Sequence, residues 1–192
     1  MDKKIILASA SPRRIQMMRD KGYNPIVMPA EIEENIPAHD SMTDTVMFLA
    51  LKKALWVNDY VAENDPELAE SHPLIIASDT IVYKDEIMGK PKDFEDGMRM
   101  LKALRNDVHF VVSGVAMIDM GNQSIQAFYD ITKVYFTEYS DEELIQYLNT
   151  DEAYDKAGGY AIQGTFGKYI DHFEGSYSNV VGFPWEQISK FL

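Results

Sequence analysis

The chain has 192 residues, of which 46% are hydrophobic, and it carries a formal net charge of −13. This length and composition predict one globular domain over residues 1–192, built either as a single body or as two small lobes that share a core, and they exclude a disordered chain. The acidic balance argues against general nucleic-acid binding, which needs a basic face, but it is compatible with a small basic pocket for a nucleotide. Because the sequence has no cysteine, disulfides and a catalytic thiol are also excluded.

The amino-terminal residues do not resemble a leader peptide. Met1-Asp2-Lys3-Lys4 is followed by a short apolar run, and serine, proline and two arginines come too soon for a signal-peptide core. No run approaches the ~18 apolar residues of a membrane span. We therefore expect a cytoplasmic protein with no membrane partner.

Residues 5–14 join a short apolar strand to the start of a helix. The strand Ile5–Ala8 is followed by two hydroxyl residues, Ser9 and Ser11, and Ser11 is a natural N-cap for a helix. Pro12 suits the first helical position, and two arginines, Arg13 and Arg14, follow it. Two cations in a first helical turn oppose the helix dipole. A bound phosphate would reverse that penalty, since helix starts and guanidinium groups both favour phosphate. The alternative is a pair of solvated arginines.

An acidic segment bounded by prolines follows at residues 29–37, and it includes Glu33 and Glu34. Such a segment is either a solvated loop or a source of ligands for a metal ion or water. The residues alone leave both interpretations open.

A long helix is predicted over about Thr43–Ala62, with Asp40 and Ser41 among its possible caps. Its apolar stripe comprises Val46, Leu49, Ala50, Ala54, Val57 and Val61. Lys53 falls near the middle of this stripe, whereas Lys52 falls outside it and is expected to be solvated. A lysine inside an apolar stripe either extends its ammonium to water or reaches an anionic partner. Lys53 is therefore a candidate functional residue.

Asp79 lies inside the predicted strand Leu74–Tyr83, which follows an expected loop at residues 63–72. A buried carboxylate needs a partner, and the candidates are a cation, a metal ion or Thr80. Asp79 is accordingly the first candidate for a base or metal ligand, the alternative being a structural aspartate that bonds a turn. Because a neutral amide is easier to bury than a carboxylate, Asp79→Asn is expected to keep or raise the thermal stability of the protein without ligand. If Asp79 is structural and paired with a cation, the same change should destabilise the fold.

Further elements follow from periodicity and caps. They are a helix over 12–21, a strand over 24–28, a stiff loop carrying Lys90 before Pro91, a helix after Asp93, a hairpin over 109–120 and 125–137, a capping-box helix over 140–148, a strand near 168–173 and a closing helix from Pro184. His109 begins a hairpin strand, where a structural role is favoured over a catalytic one.

Two loops contain glycine. Residues 155–164 hold three glycines in seven positions, which indicates a close approach of the backbone to something. The amide of Gln163 offers a donor and an acceptor and so suits the edge of a base. Residues 175–184 are the second such loop.

None of the common phosphate loops, zinc motifs or nucleophile elbows occurs in the chain. Phosphate chemistry would instead combine a helix start with scattered cations and carboxylates, namely Arg13, Arg14, Lys53, Lys90, Glu34 and Asp79. That many cations suit a polyphosphate, and carboxylates beside them suit a bound Mg²⁺.

The sequence resembles the Maf family of nucleotide pyrophosphatases, also called septum-formation proteins. The resemblance rests on residues 7–14, 33–34, 49–54, 78–80, 89–91, 109–115, 155–164 and 175–184, in family order. Ser113 and Phe183 depart from the usual threonine and leucine but keep the chemical type. The resemblance implies the α/β fold of the inosine triphosphate pyrophosphatases, with a long curved mixed sheet flanked by helices and two lobes around a cleft.

It also implies hydrolysis between the α- and β-phosphates of a nucleoside triphosphate, with a divalent metal cofactor, Mg²⁺ or else Mn²⁺ or Co²⁺, and a possible homodimer. In the family the position of Asp79 is the proton acceptor, and those of Arg13, Thr80 and Gln163 are tied to substrate choice. With glutamine at position 163, the sequence resembles the branch of the family that acts on dTTP and UTP. The branch that acts on 7-methyl-GTP tends to have glutamate at this position.

Two other functions stay open at this point. One is a nucleotide-sensing module that binds without turnover, and the other is a phosphatase that releases single phosphates. The carboxylate pair argues against a pure phosphate binder, because Asp79 would repel phosphates unless a metal ion is present.

Overall fold

The computed structural model describes residues 3–34 and 41–192. Its strands are β1 (Ile5–Leu7), β2 (Ile26–Val27), β3 (Leu74–Lys84), β4 (Glu86–Met88), β5 (Val108–Asp119), β6 (Ser124–Phe136) and β7 (Ile170–Glu174). Its helices are α1 (Pro12–Asp20), α2 (Met42–Asn64), α3 (Pro66–Glu70), α4 (Phe94–Leu104), α5 (Asp141–Leu148), α6 (Tyr177–Val181) and α7 (Trp185–Ile188), with short 3₁₀ turns at Ala157–Gly159, Thr165–Tyr169 and Ser189–Phe191. None of the helices in the described ranges is both long and apolar enough to cross a membrane.

The strands form one mixed sheet in the order β2-β1-β3-β5-β6-β7, with β4 paired to β3. Strand β1 runs parallel to β2 and β3, whereas β4 and β7 run antiparallel to their partners β3 and β6. The predicted α/β class, with a mixed sheet and flanking helices, is confirmed.

The chain divides into two compact units, and the first comprises Met1–Asp79, Ser113–Tyr129 and Gln187–Leu192. Its core combines four residues of the predicted α2 stripe with apolar residues of β1, β3 and β5, such as Ile6, Ile75 and Ala116. All six stripe residues are buried. Helix α2 approaches β5 closely because Gly114 has no side chain, and a Cβ there would overlap the main-chain carbonyl of Val46.

The second unit comprises Thr80–Val112 and Asp130–Glu186, and its core is rich in aromatic rings. Phe136, Tyr139 and Phe166 pack edge to face against one another. His109 is fully buried, and its Nε2 lies 2.6 Å from the hydroxyl of Tyr160. Burial, with a smaller contribution from the charge of Lys84, lowers the pKa of His109 to about 3. These contacts support the structural role of His109.

Several predicted elements differ in the structure. The expected loop at 63–72 contains helix α3, which begins with Pro66 after the cap Asp65. The expected strand over 24–28 is only Ile26–Val27, and the glycine loop over 175–184 contains helix α6. Strand β4 was not predicted. Residues 35–40, which include the end of the acidic segment and the cap candidate Asp40, lie outside the described residues.

Candidate active site

The carboxyl end of β1 and the middle of β3 bring the first candidate residues together. Leu7 pairs with Ile76 in this parallel pair, and Ser9 and Ser78 each come two residues later. The hydroxyl of Ser9 accepts from the main-chain N–H of Ser11 at 3.2 Å and from Nη1 of Arg14 at 3.1 Å. Arg14 Nη1 also donates to the carbonyl of Ser78 at 2.8 Å. The predicted strand–turn–helix corner is therefore fastened to β3 by a guanidinium group.

The helix start differs from the prediction in one detail. Ser11 occupies the N-cap position and Pro12 the first turn of α1, but the Ser11 side chain makes no capping hydrogen bond. The nearby hydroxyl of Ser9 contacts the N–H of Ser11 instead.

Arg14 is the most desolvated cation of the corner. Burial is the main cause that lowers its pKa to about 10, and the adjacent charge of Arg13 lowers it further. The carboxylates of Asp79 and Glu34 oppose this shift. A pKa near 10 still leaves Arg14 charged at neutral pH, so it can bind phosphate.

Lys53 lies between two carboxylates. Its Nζ is 2.6 Å from Glu34 Oε1 and 2.6 Å from Asp79 Oδ1. The side chains of Lys53 and Asp79 are 12% and 11% exposed, whereas that of Glu34 is 48% exposed. The helical position predicted for Lys53 thus delivers it to an anionic partner, and the partner that Asp79 needs is a cation.

Lys52 differs from the prediction. It lies at the surface, as predicted, but it is half-buried, and its Nζ donates to the main-chain carbonyl of Glu33 at 2.7 Å. Two consecutive lysines of α2 therefore hold consecutive residues of the acidic segment, Lys52 by the backbone and Lys53 by the carboxylate of Glu34.

Glu34 and Asp79 suit a divalent cation by their chemistry and placement. Both place a carboxylate oxygen on the same ammonium nitrogen, so the two oxygens lie within 5.2 Å of each other, twice the 2.6 Å of each contact. Carboxylate oxygens are the ligands that Mg²⁺ prefers. Within residues 3–34 and 41–192, no group of three or more His, Cys, Asp or Glu side chains is placed to hold a metal ion. The pair would therefore need water or phosphate oxygens to complete a coordination shell.

The remaining predicted site residues are distributed between the units. Arg13, in the first unit, forms no ion pair with any residue that the structure describes. Thr80, Lys90 and Gln163 belong to the second unit. The hydroxyl of Thr80 donates to the carbonyl of Gly182 at 3.3 Å, while Lys90 and Gln163 are exposed. The roles assigned to these residues stay predictions.

The glycines of residues 155–164 approach the protein itself. Gly158 has φ +66°, and a Cβ there would lie 2.7 Å from a methyl group of Val82. A Cβ at Gly164 would overlap the carboxylate of Glu152. Glu152 was not singled out in the sequence, because a contact across 13 residues leaves no local pattern.

The sequence model of the family described as Maf-like protein matches residues 4–192. The chain belongs to the Maf family. Among curated relatives, the dTTP/UTP pyrophosphatase of Acetivibrio thermocellus is 39% identical to this chain. The matched region covers 98% of this chain and 94% of the length of that relative. The proteins of the same name from Bacillus cytotoxicus and Dictyoglomus turgidum are each 41% identical, with 99% and 100% of this chain and 94% and 96% of their own lengths covered.

The name that these relatives share, dTTP/UTP pyrophosphatase, agrees with the branch of the Maf family that Gln163 predicts. Among solved structures, a nucleoside-triphosphatase described as a dITP/XTP pyrophosphatase from Mycobacterium abscessus is 13% identical, with 69% of this chain and 74% of its own covered and a TM-score of 0.43.

Proposed function

We propose that the protein hydrolyses dTTP and UTP to the monophosphate and pyrophosphate. The observation that carries this proposal is the buried Lys53 ammonium shared by Glu34 and Asp79, beside the Arg14 guanidinium at a helix start. Cations and carboxylates in one place suit a metal-bound polyphosphate better than either type alone. The name shared by relatives of about 40% identity supports the choice of dTTP and UTP.

The cations would bind the phosphates. Arg14 lies between the Ser9 hydroxyl and the Ser78 carbonyl, and this fixed position allows its guanidinium to bind a phosphate with little reorganisation. Arg13 and Lys53 add positive charge in the same unit. These groups would stabilise the charge that builds on the leaving pyrophosphate.

The carboxylates would handle the attacking water. Asp79 accepts the proton as water oxygen bonds to phosphorus, the bond between the α- and β-phosphates breaks and pyrophosphate leaves. Glu34 and Asp79 would hold a divalent cation, which supplies Lewis-acid stabilisation of phosphate charge when bound. We propose Mg²⁺, with Mn²⁺ or Co²⁺ as alternatives.

Two imido analogues of UTP test the bond that is cleaved. With nitrogen between the β- and γ-phosphates, UTP should still yield UMP and imidodiphosphate. With nitrogen between the α- and β-phosphates, it should resist hydrolysis. Release of orthophosphate from UTP as the first product would indicate a phosphatase, and tight binding without turnover would indicate a nucleotide sensor.

The same proposal covers the cellular role. A pyrophosphatase for dTTP and UTP, and for modified pyrimidine nucleotides, would remove triphosphates from the nucleotide pool, and we place that activity in the cytoplasm. A homodimer stays a prediction from the family resemblance.

A further inference from the structure

Gln163 lies at the tip of a tight turn. The N–H of Gly164 donates to the carbonyl of Ala161 at 3.0 Å, so Ile162 and Gln163 are the two central residues of the turn. Ala161 is buried and Gln163 is exposed. Past the turn, Phe166 is 1% exposed within the aromatic core. The backbone on both sides of Gln163 is therefore anchored in the second unit.

A single carboxylate fastens the far side of this turn. Glu152 Oε1 accepts from the main-chain N–H of Thr165 at 2.8 Å, and Oε2 accepts from the Thr165 hydroxyl at 2.8 Å. Both carboxylate oxygens therefore accept hydrogen bonds from the same residue, Thr165, which lies two positions beyond Gln163. Ala153, which follows Glu152, is fully buried, so the carboxylate extends from a fixed backbone.

Gly164 makes room for this contact. Its φ of −93° is accessible to any residue, so no backbone strain calls for glycine. A Cβ at this position would instead overlap Glu152 Oε1. The absent side chain and the two hydrogen bonds are separate observations that point to the same contact.

We propose that Glu152 is a positioning residue for base selection, which fixes the turn so that the Gln163 amide meets the base in one orientation. This inference rests on the proposed function. An amide presents a donor on one side and an acceptor on the other, and rotation exchanges them. Uracil and thymine offer an acceptor at position 4, where cytosine offers a donor. A loosely held glutamine can satisfy either base, whereas a fixed one can discriminate.

The test is the ratio of kcat/KM for UTP to that for CTP in matched variants. Glu152→Ala should lower this ratio about 3- to 10-fold, the range of one net hydrogen bond, chiefly through KM. Glu152→Gln should keep it, because the amide can accept from the Thr165 N–H and donate to its hydroxyl. Asp151→Ala is the control, since it removes an exposed carboxylate that takes no part in these two bonds.

Gly164→Ala is a second way to break the same contact, because the added methyl group should displace the Glu152 carboxylate. The ratio of kcat/KM for UTP to that for CTP should fall as it does in Glu152→Ala. In the double variant Glu152→Ala with Gly164→Ala, the ratio should fall no further than in either single variant. An unchanged ratio in Glu152→Ala, or additive losses in the double variant, would overturn the role of Glu152 while leaving the proposed function intact. A wild-type protein that hydrolyses neither UTP nor dTTP would instead overturn the proposed function, and base selection with it.

Discussion

Lys53 donates to Glu34 and Asp79 at 2.6 Å each, so the three side chains respond to substitution as a unit. The members differ in exposure, since Lys53 and Asp79 are nearly buried and Glu34 is half-exposed. Burial raises both the strength of an ion pair and the penalty for leaving one member unpaired. Stability and activity should therefore separate between the two carboxylates.

Asp79→Asn should reduce turnover about 10²-fold or more, the scale of general-base catalysis, because the amide cannot take a proton. It should also melt earlier than wild type, since Lys53 loses a buried counter-charge. The free energy of unfolding should fall by less than the about 3–5 kcal/mol that a fully broken buried ion pair costs. The reason is that the amide oxygen still accepts from Lys53, and Glu34 still supplies a negative charge.

Turnover and melting temperature of the same preparation check this prediction. Glu34→Gln is the comparison, and it should lose activity with little change in melting temperature. Near-normal turnover per folded molecule in Asp79→Asn would contradict the assignment of Asp79 as base. The sequence alone predicts that Asp79→Asn keeps or raises stability, but the contact between Asp79 and Lys53 reverses that expectation.

Substitution of Lys53 should lower kcat/KM much more than substitution of Lys52. Lys53→Met should reduce kcat/KM about 10²-fold, because an ammonium that contacts both carboxylates and is proposed to contact phosphate is lost. Lys52→Met should reduce it only a few-fold, through the lost hydrogen bond to the Glu33 carbonyl. Steady-state kinetics on both variants decide this, and equal losses would contradict the separate roles.

His109 predicts a pH dependence of stability. Its folded pKa of about 3 lies below the ordinary value of 6.5, so the unfolded chain binds the proton more readily. The stabilisation is complete above pH 6.5 and is lost as the pH falls toward 3. Between pH 6.5 and 5 the loss should be about 2 kcal/mol.

Chemical denaturation at the two pH values measures this loss. His109→Gln should flatten the dependence, whereas His172→Gln should keep it, because His172 is exposed on β7. A wild-type stability that does not change across this window would show that His109 is not the titrating group.

At the scale of elements, periodicity and caps account for most of what could be predicted. Helix α4 begins after Asp93, whose carboxylate accepts from the Asp96 N–H, and α5 begins with the predicted capping box of Ser140 and Glu143. Strand β3, Leu74–Lys84, contains two apolar segments, residues 74–77 and 81–82, which are buried as a strand covered on both faces requires. These signals are local, so they are readable in a single chain.

The elements that were missed depend on contacts or on weak local signals. Helix α3 has only five residues, too few for periodicity, and β4 is a three-residue strand that exists through its pairing with β3. The site divides in the same way. The helical phase of Lys53 was readable, but the bond from Lys52 to the Glu33 carbonyl joins residues 19 positions apart and depends on the fold.

The close approach of α2 to β5 at Gly114 predicts that a larger residue there destabilises the fold. Gly114→Ala should lower the free energy of unfolding by about 1–3 kcal/mol or more, because the added methyl group would overlap backbone atoms of Val46, which cannot rotate away. Gly89→Ala is the control, since a Cβ there meets nothing within 4 Å. Denaturant unfolding of both variants checks the difference, and equal stabilities would contradict the close approach.

At the scale of the whole molecule, the charge opposes the proposed substrate. The protein carries −13 and a nucleoside triphosphate is itself a polyanion, so the long-range field should repel it. Binding must then come from short-range contacts with the few cations of the site. A divalent cation adds to these contacts, because it neutralises phosphate charge and offsets the carboxylates of Glu34 and Asp79.

The α,β-imido analogue of UTP should therefore stabilise the protein only when a divalent cation is present. A ligand at 100 times its Kd adds about 2.7 kcal/mol to the free energy of unfolding, which a thermal shift resolves. With Mg²⁺ the melting temperature should rise, and with excess chelator the rise should largely disappear. Lys53→Met should show a reduced rise even with Mg²⁺, since one phosphate contact is lost. An equal rise in Mg²⁺ and in chelator would contradict a metal-assisted site and would favour a binding mode carried by the cations alone.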